Sequence, residues 1–163
     1  MSLVLTRIDN RLIHGQILES WVPFVQADCI LVANDGIAGR PLQKMMMQAA
    51  VPSRLRVEIG TIVEMTRLLQ SGRLDPCRVL LLFSNTRDAL RAYQGGLEYQ
   101  RLNLGNLHAD SGKTRMSCTV FLDSANVADL EALEQSGVEI WSRCIPTDME
   151  RPWRKMLVGH EDI

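Results

Sequence analysis

Arg78-Val79-Leu80-Leu81-Leu82-Phe83, followed at once by Ser84-Asn85-Thr86, decides the fold class of this chain. Side chains alternate between the two faces of a strand, so a run that is apolar throughout buries both. That is the pattern of a central strand in a parallel sheet with helices on either side. The polar triplet behind it starts a helix that runs to about Tyr93, and Gly95-Gly96 stops it.

The same alternation extends in both directions. Upstream, Leu3 to Ile8 reads as a buried strand. Gly15 to Val25 reads as a helix, with Ile17, Leu18, Trp21, Val22 and Val25 at helical spacing and Pro23 placed to distort or end it. Cys29 to Ala33 is a second apolar strand that turns at Asn34-Asp35-Gly36. Arg40 to Ala50 is helical, with Pro41 in its first turn, and Met45-Met46-Met47 should bury one or two of its three side chains. Leu55 to Ile59 is a third strand, and Thr61 to Gln70 a helix with Thr61 and Glu64 placed as a cap and Gly72 past its end. Downstream, Arg101 to Leu104 is a short strand, Gly105 to Gly112 a loop, and Met116 to Leu122 a strand. Ser124 to Gln135 is a helix with Ser124 as its N-cap and Gly137 as its terminator. Val138 to Ile145 is strand-like, and Pro146-Thr147-Asp148 leads to a short helix near Pro152 to Val158.

Strands alternating with helices build right-handed parallel βαβ units, so residues 1–163 are expected to form a single α/β domain. Hydrophobic residues at 46% and charged residues at 23% suit a soluble globular protein able to bury a core without disulfides or metals. A net charge of −1 argues against broad nucleic-acid binding. The four cysteines, Cys29, Cys77, Cys118 and Cys144, form no CxxC pair and read as separate reduced thiols of a cytoplasmic protein. The start, Met1-Ser2-Leu3-Val4-Leu5, lacks the basic region of a signal peptide. No apolar run approaches the roughly 18 residues that span a bilayer.

Function in such folds sits at the carboxyl ends of the strands, which singles out the loops at 9–16, 84–87 and 105–113. The first is the richest. Arg7-Ile8-Asp9-Asn10-Arg11-Leu12-Ile13-His14-Gly15-Gln16 sets an acid, a base and an imidazole in one turn. Neutral imidazole is a nucleophile near pH 7 and, once protonated, a good leaving group. It can therefore carry a phosphoryl group reversibly. Arg11 offers a two-pronged guanidinium for the anion, and the start of the Gly15-Gln16 helix offers backbone N–H groups that no Cβ at Gly15 would block. Asp9 is placed to hold Arg11 or to fix the imidazole tautomer. The same residues equally suit a surface turn in which Asp9–Arg11 is a solvated pair worth under about 1 kcal/mol.

The other candidates are weaker. Gly112-Lys113-Thr114 ends a loop that begins at Asn103, but a P-loop needs glycine where Leu107 stands and a helix after the lysine. His108 and Lys113 individually suit a flexible connection. Ser84 can donate to a phosphate oxygen or cap the next helix. His160-Glu161-Asp162 suits a solvated tail better than a metal site, and no metal set or cofactor motif is present. No G-x-S-x-G nucleophile elbow is found.

The run at residues 7–16 resembles the signature of IIB components of the mannose/fructose/sorbose family of the bacterial phosphotransferase system. The likeness continues through Val-Ala-Asn-Asp at 32–35, Leu-Phe-Ser-Asn at 82–85, Asn-Leu-Gly at 103–105 with His108 and Gly112-Lys113, and Pro-Thr-Asp at 146–148. This resemblance implies a mostly parallel sheet with helices on both faces and an antiparallel edge strand. It implies that His14 accepts phosphate through Nδ1 from a IIA domain and passes it to a sugar held by membrane IIC and IID partners. Arg11 would then be the phosphate clamp, Asp9 an orienting residue, and Gly15, Gln16 and Ser84 phosphate-binding positions. The implied setting is the cytoplasm, peripheral to the inner membrane through IIC and IID, and homodimers occur in places. Two positions depart from the pattern: Gly105-Asn106 stands where Gly-Gly is frequent, and Gly36 where an acidic residue is frequent. A phosphorylation-dependent regulatory module without transport, and a small-molecule-binding doubly wound domain, remain alternatives at this level.

Overall fold

The computed structural model describes residues 2–159. Seven strands form one sheet in the order β3-β2-β4-β1-β5-β8-β9. They are β1 (Ser2–Asp9), β2 (Cys29–Ala33), β3 (Arg56–Gly60), β4 (Arg78–Phe83), β5 (Arg101–Asn106), β8 (Glu139–Ser142) and β9 (Arg151–Pro152). All neighbours pair in parallel except β8 with β9, which gives the antiparallel edge. β4 is apolar because it lies inside the sheet: Val79, Leu80, Leu81, Leu82 and Phe83 are all fully buried. Each such side chain contributes about 1.5–3 kcal/mol when taken out of water.

Those residues divide between two cores, one on each face. α4 (Ile62–Gln70), α5 (Thr86–Gln94) and α6 (Ser124–Gln135) cover Leu81, Phe83, Leu102 and Leu104. The opposite face, with Ile30, Val32, Leu80 and Leu82, is covered by the helical stretch after His14 and by residues 37–55. That stretch is helical from residue 15 to 25. Its middle is a π-helical turn (Ile17–Trp21), where the Val22 N–H reaches back to the Ile17 carbonyl, and it continues as α1 (Val22–Val25). The wide turn lies directly ahead of Pro23, whose ring cannot sit in an uninterrupted α-helical ladder. No helix among the described residues is long and apolar enough to cross a membrane.

Several boundaries differ from the sequence reading. Asn34-Asp35-Gly36 does not simply turn: Asn34 accepts from the Ile37 N–H at 2.9 Å and opens α2 (Asp35–Ala38). α3 (Pro41–Ala49) begins with its proline as expected, but only Met47 of the three methionines packs on the core, while Met45 and Met46 are exposed. α6 is capped by Asp123, not Ser124. The Asp123 carboxylate accepts from the Asn126 N–H at 2.8 Å, and the Asn126 side chain accepts from the Asp123 N–H at 3.0 Å. A carboxylate makes the stronger acceptor at the positive end of a helix. Met116 to Leu122 is not one strand. β6 (Thr114–Arg115) and β7 (Phe121–Leu122) pair antiparallel as a separate ribbon, and Val120 makes a single bridge to Leu107. The final helix is a 3₁₀ turn (Trp153–Leu157), and the expected tail at His160-Glu161-Asp162 lies outside the described residues.

Candidate phosphoryl-transfer site

β1 becomes more buried along its length and ends at Asp9, whose side chain is fully buried. The chain then turns sharply: the Leu12 N–H returns to the Asp9 carbonyl at 2.9 Å, and Leu12 takes a left-handed φ of 58°. A leucine held there is strained. Burial of Leu12 and Ile13 in the core beneath the helix holds it in place. The His14 carbonyl then accepts from the Ile17 and Leu18 N–H groups, so the imidazole stands at the start of the helix.

The His14 Nε2 lies 2.9 Å from the Asp9 Oδ2. Burial by itself would raise the Asp9 pKa. The His14 hydrogen bond, the Arg7 charge and the Asn106 hydrogen bond outweigh it and hold Asp9 below the ordinary carboxylate value. Asp9 is therefore ionised at neutral pH and can only accept. The bond must accordingly be Nε2–H donating to Oδ2, which leaves the lone pair of neutral His14 on Nδ1. Among the described residues Nδ1 has no hydrogen-bond partner. The Asp9 carboxylate thus faces Nε2 of the ring with Oδ2 and Arg11 with Oδ1.

Arg7 completes the cluster, and the sequence reading missed it as a functional residue. Its guanidinium is fully buried. It donates to Asp9 Oδ2 through Nε at 3.3 Å and Nη2 at 3.1 Å, to the Asn103 side chain at 2.6 Å, and to the Arg143 and Cys144 carbonyls at 2.9 and 3.0 Å. It also lies 4.9 Å over the Trp21 ring. Burial lowers its pKa and Asp9 opposes that shift. A guanidinium so fully bonded remains charged. The residue that makes this possible is Gly105. A Cβ there would fall 1.9 Å from the Arg7 Cζ. Gly105 belongs to β5, not to a loop, and the pairing slips beside it: Ile8 faces Leu104 while Asp9 faces Asn106. Such an irregularity re-aims side chains beside a site. Here it sets Asn106 opposite Asp9, and the Asn106 amide donates to Asp9 Oδ2 at 2.8 Å. The available signal was a pair of charges at Arg7 and Asp9 on one face of an otherwise apolar strand.

The remaining expected residues surround this cluster unevenly. The Arg11 N–H donates to Asp9 Oδ1 at 3.1 Å, but its guanidinium is half exposed, 3.8 Å from Asp9 and 3.4 Å from the Gln16 side-chain oxygen. A Cβ at Gly15 would meet nothing within 4 Å, so the space beside the helix start is open. Ser84 follows Phe83, which pairs with Ile8, and so lies at the same carboxyl end of the parallel strands as Asp9. Its hydroxyl oxygen accepts from Asn34 at 2.8 Å and Asn85 at 3.0 Å, and among the described residues the hydroxyl makes no other side-chain bond. Asn85, not Ser84, caps α5. No hydrogen bond joins the side chain of His108 or Lys113 to the cluster. All four cysteines are free thiols.

Known proteins match this chain along almost its whole length. The family described as "PTS system sorbose subfamily IIB component" matches residues 3–162. The chain is 34% identical, over 90% of its length and 93% of the relative's, to the N-acetylgalactosamine-specific phosphotransferase enzyme IIB component 2 of Escherichia coli. It is 29% identical over 96% of its length to the mannose-specific EIIAB component of the same species, and spans 48% of that longer protein. The crystal structure of the IIBSor domain of the sorbose permease from Klebsiella pneumoniae superposes with a TM-score of 0.91, covering 98% of each chain at 24% identity. The buried charge cluster at the head of a parallel sheet therefore sits in a chain that belongs to the sorbose subfamily of IIB components of the sugar phosphotransferase system.

Proposed function

We propose that this chain is a phosphoryl carrier in which His14 accepts phosphate on Nδ1 from the phosphohistidine of a IIA domain. It then delivers the group to a sugar held by IIC and IID partners in the membrane. The observation that carries this reading is the Asp9–His14 bond, which occupies Nε2 and leaves Nδ1 with its lone pair. In the forward step that lone pair attacks phosphorus as the P–N bond to the donor ring breaks and its electrons return to the donor nitrogen. The proton stays on Nε2, so the His14 ring becomes a cation, and the buried Asp9 carboxylate stabilises it much as the aspartate of a hydrolase triad stabilises its imidazolium. In the onward step a sugar hydroxyl oxygen attacks phosphorus and gives its proton to a base on the acceptor side, while the Nδ1–P bond breaks and its electron pair returns to Nδ1, so the ring is neutral again.

Arg11 supplies a mobile guanidinium for the phosphoryl oxygens, the Gly15 and Gln16 N–H groups supply partial positive charge, and Ser84 a donor hydroxyl. Asp9 orients the ring. The mannose-specific relative, whose name joins an A unit to the B unit, supports a IIA donor. The working place is the cytoplasm, at the inner membrane when docked.

The test is phosphorylation from phosphoenolpyruvate through the general phosphotransferase proteins and a IIA domain, followed by mapping of the label. Label is expected on His14 alone, in an acid-labile, alkali-stable bond, and none in His14→Ala. Label retained by His14→Ala overturns the assignment. Arg11→Ala should slow transfer or shorten the life of the phosphoprotein, and unchanged behaviour removes its clamp role.

A further inference from the structure

The Asp9 carboxylate is shared unequally. Among the described residues Oδ1 accepts a hydrogen bond only from the Arg11 backbone, with the Arg11 Nε 3.8 Å away, whereas Oδ2 takes His14, Nε and Nη2 of Arg7, and the Asn106 amide at 2.8 Å. Donors that crowd one oxygen draw on the same electron density, so each weakens the hold of the others. Arg7 is needed to keep a buried carboxylate ionised. Asn106 is neutral: its hydrogen bond helps hold Asp9 ionised but brings no compensating charge, and it sits closer to Oδ2 than His14 does. The slipped register at Gly105 is what delivers it there.

We infer that Asn106 is a positioning residue that weakens the grip of Asp9 on the His14 ring and so sets how readily the phosphoryl group leaves. The argument rests on the carrier reading above. On phosphorylation the Nδ1–P bond forms, the donor's P–N bond breaks, and the ring gains a positive charge while Nε2 keeps its proton. A carboxylate relieved of Asn106 would hold that cation more tightly. The phosphorylated state would then be favoured and discharge slowed. With Asn106 in place, neither loading nor delivery is one-sided.

The test uses Asn106→Ala and the near-isosteric Asn106→Leu, which keeps the volume and removes the donor. In the unphosphorylated protein, the His14 Hε2 resonance should move downfield in both variants as the Nε2–H···Oδ2 bond strengthens. A purely structural role for Asn106 would not produce that signature. In the phosphorylation assay, the equilibrium with phospho-IIA should shift toward the variant on the order of fivefold, with a matching slower transfer onward. An Hε2 signal that stays put or moves upfield in both folded variants overturns the inference, as does an unchanged equilibrium. Failure of the wild type to take label would instead count against the carrier reading, and the resonance measurement still judges Asn106.

Discussion

Gly105→Ala should disable the charge cluster through a single methyl group. Gly105 is not among the glycines with positive φ, so its backbone would accept alanine without conformational strain. What it cannot accept is the Cβ itself, which would lie 1.9 Å from the Arg7 Cζ, 2.1 Å from Nη2 and 2.4 Å from Nε. Carbon atoms in contact need about 3.5–4.0 Å, so the guanidinium must retreat by at least about 1.5 Å. Its bonds to Asp9, Asn103 and two carbonyls span 2.6–3.3 Å, and a displacement of that size breaks most of them. A buried ion pair broken in this way costs about 3–5 kcal/mol, a large part of the roughly 5–15 kcal/mol that holds a domain together. Urea unfolding of wild type, Gly105→Ala, Arg7→Met and the double variant measures this. With Arg7 replaced by a flexible thioether, the added methyl should cost less than about 1.5 kcal/mol, giving a coupling energy of about 1.5 kcal/mol or more. A Gly105→Ala protein within about 0.5 kcal/mol of wild type, or strict additivity with Arg7→Met, would refute the reasoning.

The Asp9 carboxyl sits below its unfolded value, so its contribution is fully present above about pH 4 and is lost as pH falls through the depressed folded value. Asp9→Asn should be about 3–5 kcal/mol less stable than wild type at pH 7, and the gap should narrow in unfolding curves taken near pH 3; a constant gap contradicts this. Burial pushes the Cys29 thiol up to about 12, whereas Cys118 is exposed. Iodoacetamide at pH 8 should therefore modify Cys118 in the native protein and reach Cys29 only in denaturant, as peptide mass mapping would report. Asp123→Ala should cost about 1 kcal/mol of stability and Ser124→Ala much less; the reverse order would return the cap to Ser124.

Much of the architecture could be read from local pattern. The Val79–Phe83 run placed a central parallel strand, and Thr61 with Glu64 marked a capping box that the structure forms. These readings worked because burial on two faces, helix caps and glycine stops are properties of a few consecutive residues. The errors fell where a longer-range choice decided the outcome. Gly105 looked like a loop residue because glycine is poor in strands, and the reason it belongs in β5 is the guanidinium of a residue on another strand. The length of the 116–122 strand failed for a related cause: residues with strand propensity form only as much ladder as they find partners for.

The sequence by itself determined that strand and helix alternate, that a histidine ends the loop after the first strand, and that an acid and a base lie within five residues of it. Those are facts of order along the chain. Only the tertiary structure decided that Asp9 holds His14 by Nε2, that a buried Arg7 holds Asp9, and that Asn103, Gly105 and Asn106 shape the space around them. The physical reason is that β1 and β5 are neighbours in the sheet but nearly a hundred residues apart in the chain, and the bulge that sets their register leaves no mark in either segment alone.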